Sequence, residues 1–551
     1  MIRKSLFLLP ILLIALLSSC GTKTEHPNRV VIGIPSDVNT FNPLFASSVD
    51  EGQVTELLYL SLADFRWNEN LGELEAHPML ANSWKWAEDS SSITFYLRDD
   101  VMWSDSIPLT TEDVVFSLDV YSDPAVSSRL YGFFEDFYTD EENHIDVKKS
   151  FIVQSDYELQ INFKPGSTPK LIDVVHPVIP KHIFDKYDRK DIETADANFN
   201  PVTNSPFVLK KWDRNQTITL GVNENSFLYN PENINELIFK IIPDYTSRLT
   251  QLKKGEIDLM ELIATEDIEE VKKSGIVELM TIEGREYDYV AWNNIDPNVY
   301  KDGGGITPHK LFGKKEVRIA LTHAINRKEI LEEYLYNYGE LAATPISPIF
   351  KTYINSDIEQ YNYDPEKARK ILAKEGWRDS NNNGVIDKNG IEFEFTLNIP
   401  GGNPLRSYAS TIVKNNLNAV GISIKVETLE MGTLIDKLNS KSMDAWMAAW
   451  YIPIPIELKV FWYSDLQYSP LNFASYQNKK ADKIMDELTK NSTMDKKKEL
   501  YFKFQEILHE DEPITFMYWK SNIVGVNETL RNTGIGPFGA ITHCWEWSVE
   551  N

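Results

Sequence analysis

The stretch Leu97-Arg98-Asp99-Asp100-Val101-Met102-Trp103-Ser104-Asp105-Ser106-Ile107-Pro108-Leu109-Thr110-Thr111-Glu112-Asp113-Val114-Val115-Phe116 decides the fold. It opens on the end of a strand, because Ile93-Thr94-Phe95-Tyr96-Leu97 alternates with period two and so has one buried face. It closes on the start of a helix. Thr110 stands at the cap, Asp113 follows three residues on, and Val114, Val115, Phe116 and Leu118 supply an apolar run. A strand, a turn carrying a tryptophan and a capped helix succeed one another in twenty residues.

The same alternation continues outward. Period-two strands are expected at Glu158–Phe163, Gln216–Leu220, Glu392–Leu397 and Ile422–Val426, and a buried strand at Arg29–Ile34. A helix from about Lys315 carries Val317, Ala320, Leu321, Ala324 and Ile325 on one face. Another opens with Asp364 as cap and Pro365 in its first turn, buries Ala368, Ile371 and Leu372, and stops at Gly376. No solenoid repeat or long low-complexity linker interrupts this order. The expected class is α/β, in lobes.

The chain has 551 residues, 42% of them hydrophobic and 12% aromatic, enough for more than one large core. A net charge of −26 argues against nucleic-acid binding, which needs a basic surface. It also disfavours polybasic docking on anionic lipid. Only two cysteines occur, so a disulfide framework or a Cys-based metal site is excluded. No zinc spacing, nucleophile elbow, phosphate loop or dinucleotide fingerprint is present. Neither a cofactor nor covalent chemistry is expected.

The N-terminus has the layout of a secretory signal: Arg3 and Lys4, an apolar run from Leu6 to Leu17, then Leu17-Ser18-Ser19-Cys20-Gly21. The run is too short to span a bilayer. The Leu-Ser-Ser-Cys ending resembles the lipobox of bacterial lipoproteins. That resemblance implies lipidation at Cys20, with residues 1–19 removed and residues 20–28 as a polar leash.

The Trp103 stretch closely resembles the signature of the family 5 extracellular solute-binding proteins, the peptide- and nickel-binding receptors of ABC importers. The family pattern there is Leu-Arg, Trp-x-Asp-Gly, Pro-Leu-Thr and a helix with Glu-Asp-Val. Ser106 stands at the usual glycine, a tolerable exchange if the turn needs no positive φ. Further landmarks follow in order: Asn39-Thr40-Phe41-Asn42-Pro43, Pro78 to Trp84, Pro180-Lys181-His182, Ser205-Pro206-Phe207, Gly255-Glu256-Ile257-Asp258, Ala324-Ile325-Asn326-Arg327 and Asp364 to Trp377.

The resemblance implies a two-lobe, periplasmic-binding-protein-like α/β fold (type II, the large cluster C form). Lobe I would take residues 29–290 with an inserted subdomain at about 61–199, lobe II residues 291–514, and residues 515–551 would return to lobe I. The chain would cross near Tyr289–Asn293 and cross back near Ile514–Tyr518.

By the same resemblance, ligand contacts are expected from Asn39, Phe41 and Asn42 and from Trp450 and Tyr451. In peptide-binding members an Asp in the segment after these aromatics pairs with the ligand's α-ammonium; here that place holds Pro453. The implied protein is a lipid-anchored monomer that hands a peptide or peptide-like solute to an ABC permease and ATPase. A surface-anchored hydrolase, or a sensor or chaperone on the same scaffold, remains an alternative. Asp379, Asn381, Asn383 and Asp387 have the spacing of a calcium loop, but Gly390 stands where the bidentate Glu belongs. The Asn383-Gly384 and Asn389-Gly390 pairs read equally as hairpin turns.

Overall fold

The computed structural model describes residues 28–303, 305–490 and 492–550. Cys20 and the signal segment lie outside the described residues. An eleven-stranded mixed sheet runs through the molecule. Its strands in chain order are β1 (Arg29–Ile34), β2 (Phe207–Asp213), β3 (Thr217–Val222), β4 (Glu236–Ile241), β5 (Leu259–Met260), β6 (Val277–Trp292), β7 (Gly339–Leu341), β8 (Glu394–Pro400), β9 (Ser423–Leu429), β10 (Ala445–Tyr451) and β11 (Ile514–Asn527). They lie in the order β9-β8-β10-β6-β11-β5-β1-β4-β3-β2, and β7 adds to β11.

Each half of the sheet is covered on both faces, and the period-two pleat sorts the side chains. In β1, Val30, Ile32 and Ile34 enter one core and Val31 the opposite one. In β6, Val290 and Trp292 pack with the helices Lys315–Ala324 and Pro365–Lys374. Tyr287, Tyr289 and Ala291 point the other way, toward Phe461, Phe504 and Phe516.

The two long strands β6 and β11 join the halves. Their antiparallel register runs from Val277↔Asn527 to Ile282↔Asn522, then resumes at Glu286↔Lys520. Between these pairs β6 has three residues, Glu283, Gly284 and Arg285, against Ser521 alone on β11. This bulge brings the backbone so close that a Cβ on Gly284 would lie 1.5 Å from the Lys520 carbonyl oxygen. Just beyond it, the buried Asp288 carboxylate meets Arg406 Nε at 2.6 Å and Lys520 Nζ at 3.3 Å.

The segment of residues 61–199 carries the hairpin Ala63–Asn68/Glu73–Pro78 and a four-stranded antiparallel sheet, both packed into the first core. Strand Ser92–Leu97 and helix Thr111–Ser122 form where the alternation and cap place them. Asp113 accepts from the Thr110 backbone N–H at 2.9 Å and from that of Lys181 at 2.9 Å. Trp103 is buried against His182. Ser106 departs from expectation: its φ is +72°, so the turn does require the left-handed conformation. That region crowds the Cβ of an L-residue and costs about 1–2 kcal/mol relative to glycine's freedom there.

Candidate ligand cleft

Helix α1 (Val49–Glu56) builds one wall. Ser48 caps it, and Glu51 closes the capping box. The Glu51 carboxylate also accepts from Asn39 N and Nδ2 at 2.7 and 2.8 Å and from Ser47 N at 2.7 Å. Burial pushes its pKa up, but the hydrogen bonds from Ser47 and Asn39 more than offset this and hold it below the usual range. Asn39 is thus engaged in tying its loop to the helix.

The helix ends on Glu56 at a cavity of about 760 Å³. Tyr59 and Ser61 continue the wall from the chain that follows α1. Asp64, Arg66 and Trp67 enter from the inserted hairpin, Phe538 and Trp545 from the C-terminal segment, and Ile454 from the other half of the sheet. A second cavity of about 310 Å³ adjoins it, with Trp67 and Ile454 as shared walls. Beyond them stand Phe350, Tyr353, Pro455 and Tyr501.

The walls come from both halves of the molecule, which touch through the inserted hairpin. Thr352 N–H donates to Leu71 O at 2.9 Å, and Tyr353 Oη donates to Glu73. At Gly72, with φ +67°, a Cβ would lie 2.2 Å from Ile349 O, so only glycine permits this approach. Trp67 packs edge-on against Phe350, centroids 5.8 Å apart.

One polar network stiffens the larger cavity. Arg66 binds Asp64 at 2.6 Å and Glu546 at 2.7 Å, and His543 Nε2 meets Asp64 at 2.8 Å. Burial raises the Asp64 pKa, but His543 and Arg66 outweigh it and hold the carboxyl below its ordinary range. His176 is pushed down to about 4 by burial, so its ring is neutral; Nε2 lies 3.1 Å from Asp173 O. Burial pushes Glu56 up, opposed by the charges of Arg129 and His543.

None of the expected contact residues, Asn39 included, lines this cleft. Phe41 and Asn42 are buried inside the first half: Phe41 meets Trp212 at 4.9 Å, and Asn42 Nδ2 donates to Asn198 Oδ1 at 2.8 Å. Trp450 sits half-buried among Phe461, Phe473 and Tyr289. Tyr451 is exposed, with the Arg285 guanidinium 4.3 Å over its ring. None of these lines either cavity; the chain just beyond Tyr451, at Ile454 and Pro455, does. Glu56 and Trp67 carry no local motif. They become neighbours only through the docking of the hairpin.

The Asp379 segment is a self-closed exposed turn. Asp379 accepts from Asn383 N at 3.1 Å and Gly384 N at 2.9 Å, and Asp387 from Ser380 N at 2.9 Å. Asp387–Lys388 pairs with Ile391–Glu392 as a hairpin whose corner residues, Asn389 and Gly390, both have positive φ.

Residues 75–467 match the family model described as bacterial extracellular solute-binding proteins, family 5 Middle. The oligopeptide-binding protein AppA of Bacillus subtilis is 27% identical over 534 residues, covering 95% of this chain and 92% of that protein. The structure of that AppA in complex with a nonapeptide superposes with a TM-score of 0.69 at 26% identity, covering 95% of this chain and 99% of that one. HbpA2 from Haemophilus parasuis has a TM-score of 0.77 at 22% identity, covering 95% and 100%.

Proposed function

Because this chain belongs to the family 5 bacterial extracellular solute-binding proteins, the non-enzymatic extracytoplasmic receptors of ABC importers, we propose that it is a lipid-anchored receptor for peptides or peptide-like solutes. One observation carries the ligand class. The cleft is two adjoining cavities of about 760 and 310 Å³, an elongated space with aromatic walls that suits an extended chain. The likeness to AppA, an oligopeptide-binding protein whose structure was solved in complex with a nonapeptide, supports the same class. Both histidines at the larger cavity already have partners, Asp173 O and Asp64, which favours a peptide over a metal chelate.

We place the lobes on either side of the β6–β11 bulge. Lobe I then takes residues 28–282 and 522–550, and lobe II residues 286–520. This puts the crossings at Glu283–Arg285 and Ser521, where the register breaks, four residues before the expected Tyr289–Asn293 and three after the expected Ile514–Tyr518. Closure about this hinge would bury the ligand and present the closed form to the permease. Cys20 would hold the receptor at the membrane, where tethering raises its effective concentration near the transporter.

Native mass spectrometry of freshly purified protein tests the ligand class. A co-purified peptide series of mixed sequence is expected; a single non-peptide mass would overturn it. Cys20→Ala tests the anchor: the protein should move from the membrane to the soluble fraction, and retention in the membrane would refute lipidation.

A further inference from the structure

The cleft also carries charge in an arrangement that the aromatic walls do not explain. In the larger cavity Asp64, Arg66 and Glu546 are bound to one another. Glu56 and Glu69 also line the cavity and, among the described residues, neither makes an ion pair or a side-chain hydrogen bond. Glu56 is further set against its own helix. It is the last residue of α1, whose final turn has no basic side chain. Helix C-termini carry partial negative charge, so a carboxylate there is disfavoured by its own helix. Its side chain is exposed to the cavity space, and the protein packed around it pushes its pKa up. Arg129 acts on it only from beyond ion-pair distance, with its Nε committed to Pro43 O at 2.9 Å. A negative centre made of a carboxylate and a helix end, within the field of Arg129 and His543 but held by no ion pair, faces the ligand space.

The smaller cavity has the opposite sign. Four lysines line it. Lys459 is paired with Asp486 at 2.8 Å and Lys490 with Glu487 at 2.6 Å. Lys170 and Lys497 form no ion pair among the described residues, although their charges act on Asp173 and Glu73 from beyond ion-pair distance. Of the two acids there, Glu73 takes the Tyr353 hydroxyl and Glu457 accepts from the Lys459 backbone N–H at 2.6 Å. On a surface of net charge −26, a cavity with free lysines stands out.

We propose that the cleft orients its ligand by charge, seating a cationic group at Glu56 in the larger cavity and an anionic group at Lys497 and Lys170 in the smaller one. This rests on the reading that the two cavities hold the ligand. For a peptide it fixes the direction, the amino end at Glu56 and the carboxyl end at Lys497, with Trp67 and Ile454 against the middle.

The test uses the purified full chain and a synthetic peptide set in free, N-acetylated and C-amidated forms, with competition read by native mass spectrometry. A charge-assisted hydrogen bond is worth about 1.5–3 kcal/mol, so each blocked end should weaken wild-type binding by about ten- to a hundredfold. Glu56→Gln should abolish the penalty for acetylation and leave that for amidation. Lys170→Gln with Lys497→Gln should do the reverse. Glu56→Gln removes a charge from the wrong end of a helix, so its thermal midpoint should stay level or rise, which separates the effect from misfolding. If wild type binds free and acetylated peptides alike, or Glu56→Gln keeps the discrimination, the charge assignment falls and the peptide receptor stands. Wild type binding no form of any peptide overturns both.

Discussion

The β6–β11 bulge makes a sharp quantitative claim at Gly284. A methyl group there would sit 1.5 Å from Lys520 O and 2.8 Å from its carbonyl carbon, both backbone atoms that no rotamer change can move. Reaching an ordinary carbon–oxygen contact of about 3.2 Å requires the strands to part by about 1.7 Å. That opening breaks the pairing at Ile282↔Asn522 and Glu286↔Lys520 and pulls Gly284 O away from Ser347 Oγ, now 2.8 Å distant. Two or three hydrogen bonds at about 1 kcal/mol each, with about 1–3 kcal/mol of overpacking, give Gly284→Ala a cost of about 3–6 kcal/mol. Gly525→Ala on β11 is the control. Its Cβ would lie 2.5 Å from the Ile263 Cδ1 and 2.6 Å from the Leu252 Cδ2, side-chain tips that can turn aside, so about 1–3 kcal/mol is expected. Urea unfolding followed by tryptophan fluorescence gives both numbers from the midpoint shift at constant slope. Gly284→Ala within about 1 kcal/mol of wild type would show that the strands are not in this contact, and the hinge placed there would lose its basis.

Three further outcomes follow from single residues. Ser106→Gly should raise stability by about 0.5–1 kcal/mol, the relief of a left-handed φ less glycine's added chain entropy; a loss in the thermal midpoint would contradict the +72° turn. Gly52→Ala, inside α1 with nothing within 4 Å of its Cβ, should stabilise by about 1 kcal/mol in the same assay. Glu512 is pushed up to about 8 by burial, with Thr322 Oγ1 donating to it at 2.9 Å and the charges of Arg327 and Arg318 opposing the shift. Its folded pKa lies above the model-peptide value of 4.5, so its contribution is full below pH 4.5 and is lost as pH rises through about 8. Glu512→Gln should therefore flatten the fall in stability across that window, and an unchanged pH profile would refute the assignment.

How far the sequence reaches depends on how local each cause is. The strand before Leu97, the Thr110 cap and the Asp364–Pro365 start depend on neighbours within four residues, and all three form as read. The Ser106 turn was half legible: its position was clear, but its φ is dictated by Trp103 and Ile107 closing the loop, N–H to O at 2.8 Å. The crossing proposed at Gly284 differs from the expected one near Tyr289–Asn293 because no local motif marks the bulge, which shows only in what β11 lays beside Gly284. Phe41 and Asn42 illustrate the limit. Their loop is recognisable, but whether it faces ligand or protein is decided by Asn198 and Trp212, more than 150 residues away, and they turn it inward. The same distance rule hid Glu56. A glutamate ending a helix is unremarkable in sequence; it gains meaning only when residues near 66, 129, 454 and 545 close a cavity around it and none forms an ion pair with it. Residues that stabilise a fold find their partners within the chain. A ligand site is made of groups whose partner is not in the chain, so it is read best from what is left unpaired after folding, and in this cleft, among the described residues, the charged side chains with neither an ion pair nor a hydrogen bond are the Glu56 and Glu69 carboxylates at one end and the Lys170 and Lys497 ammonium groups at the other.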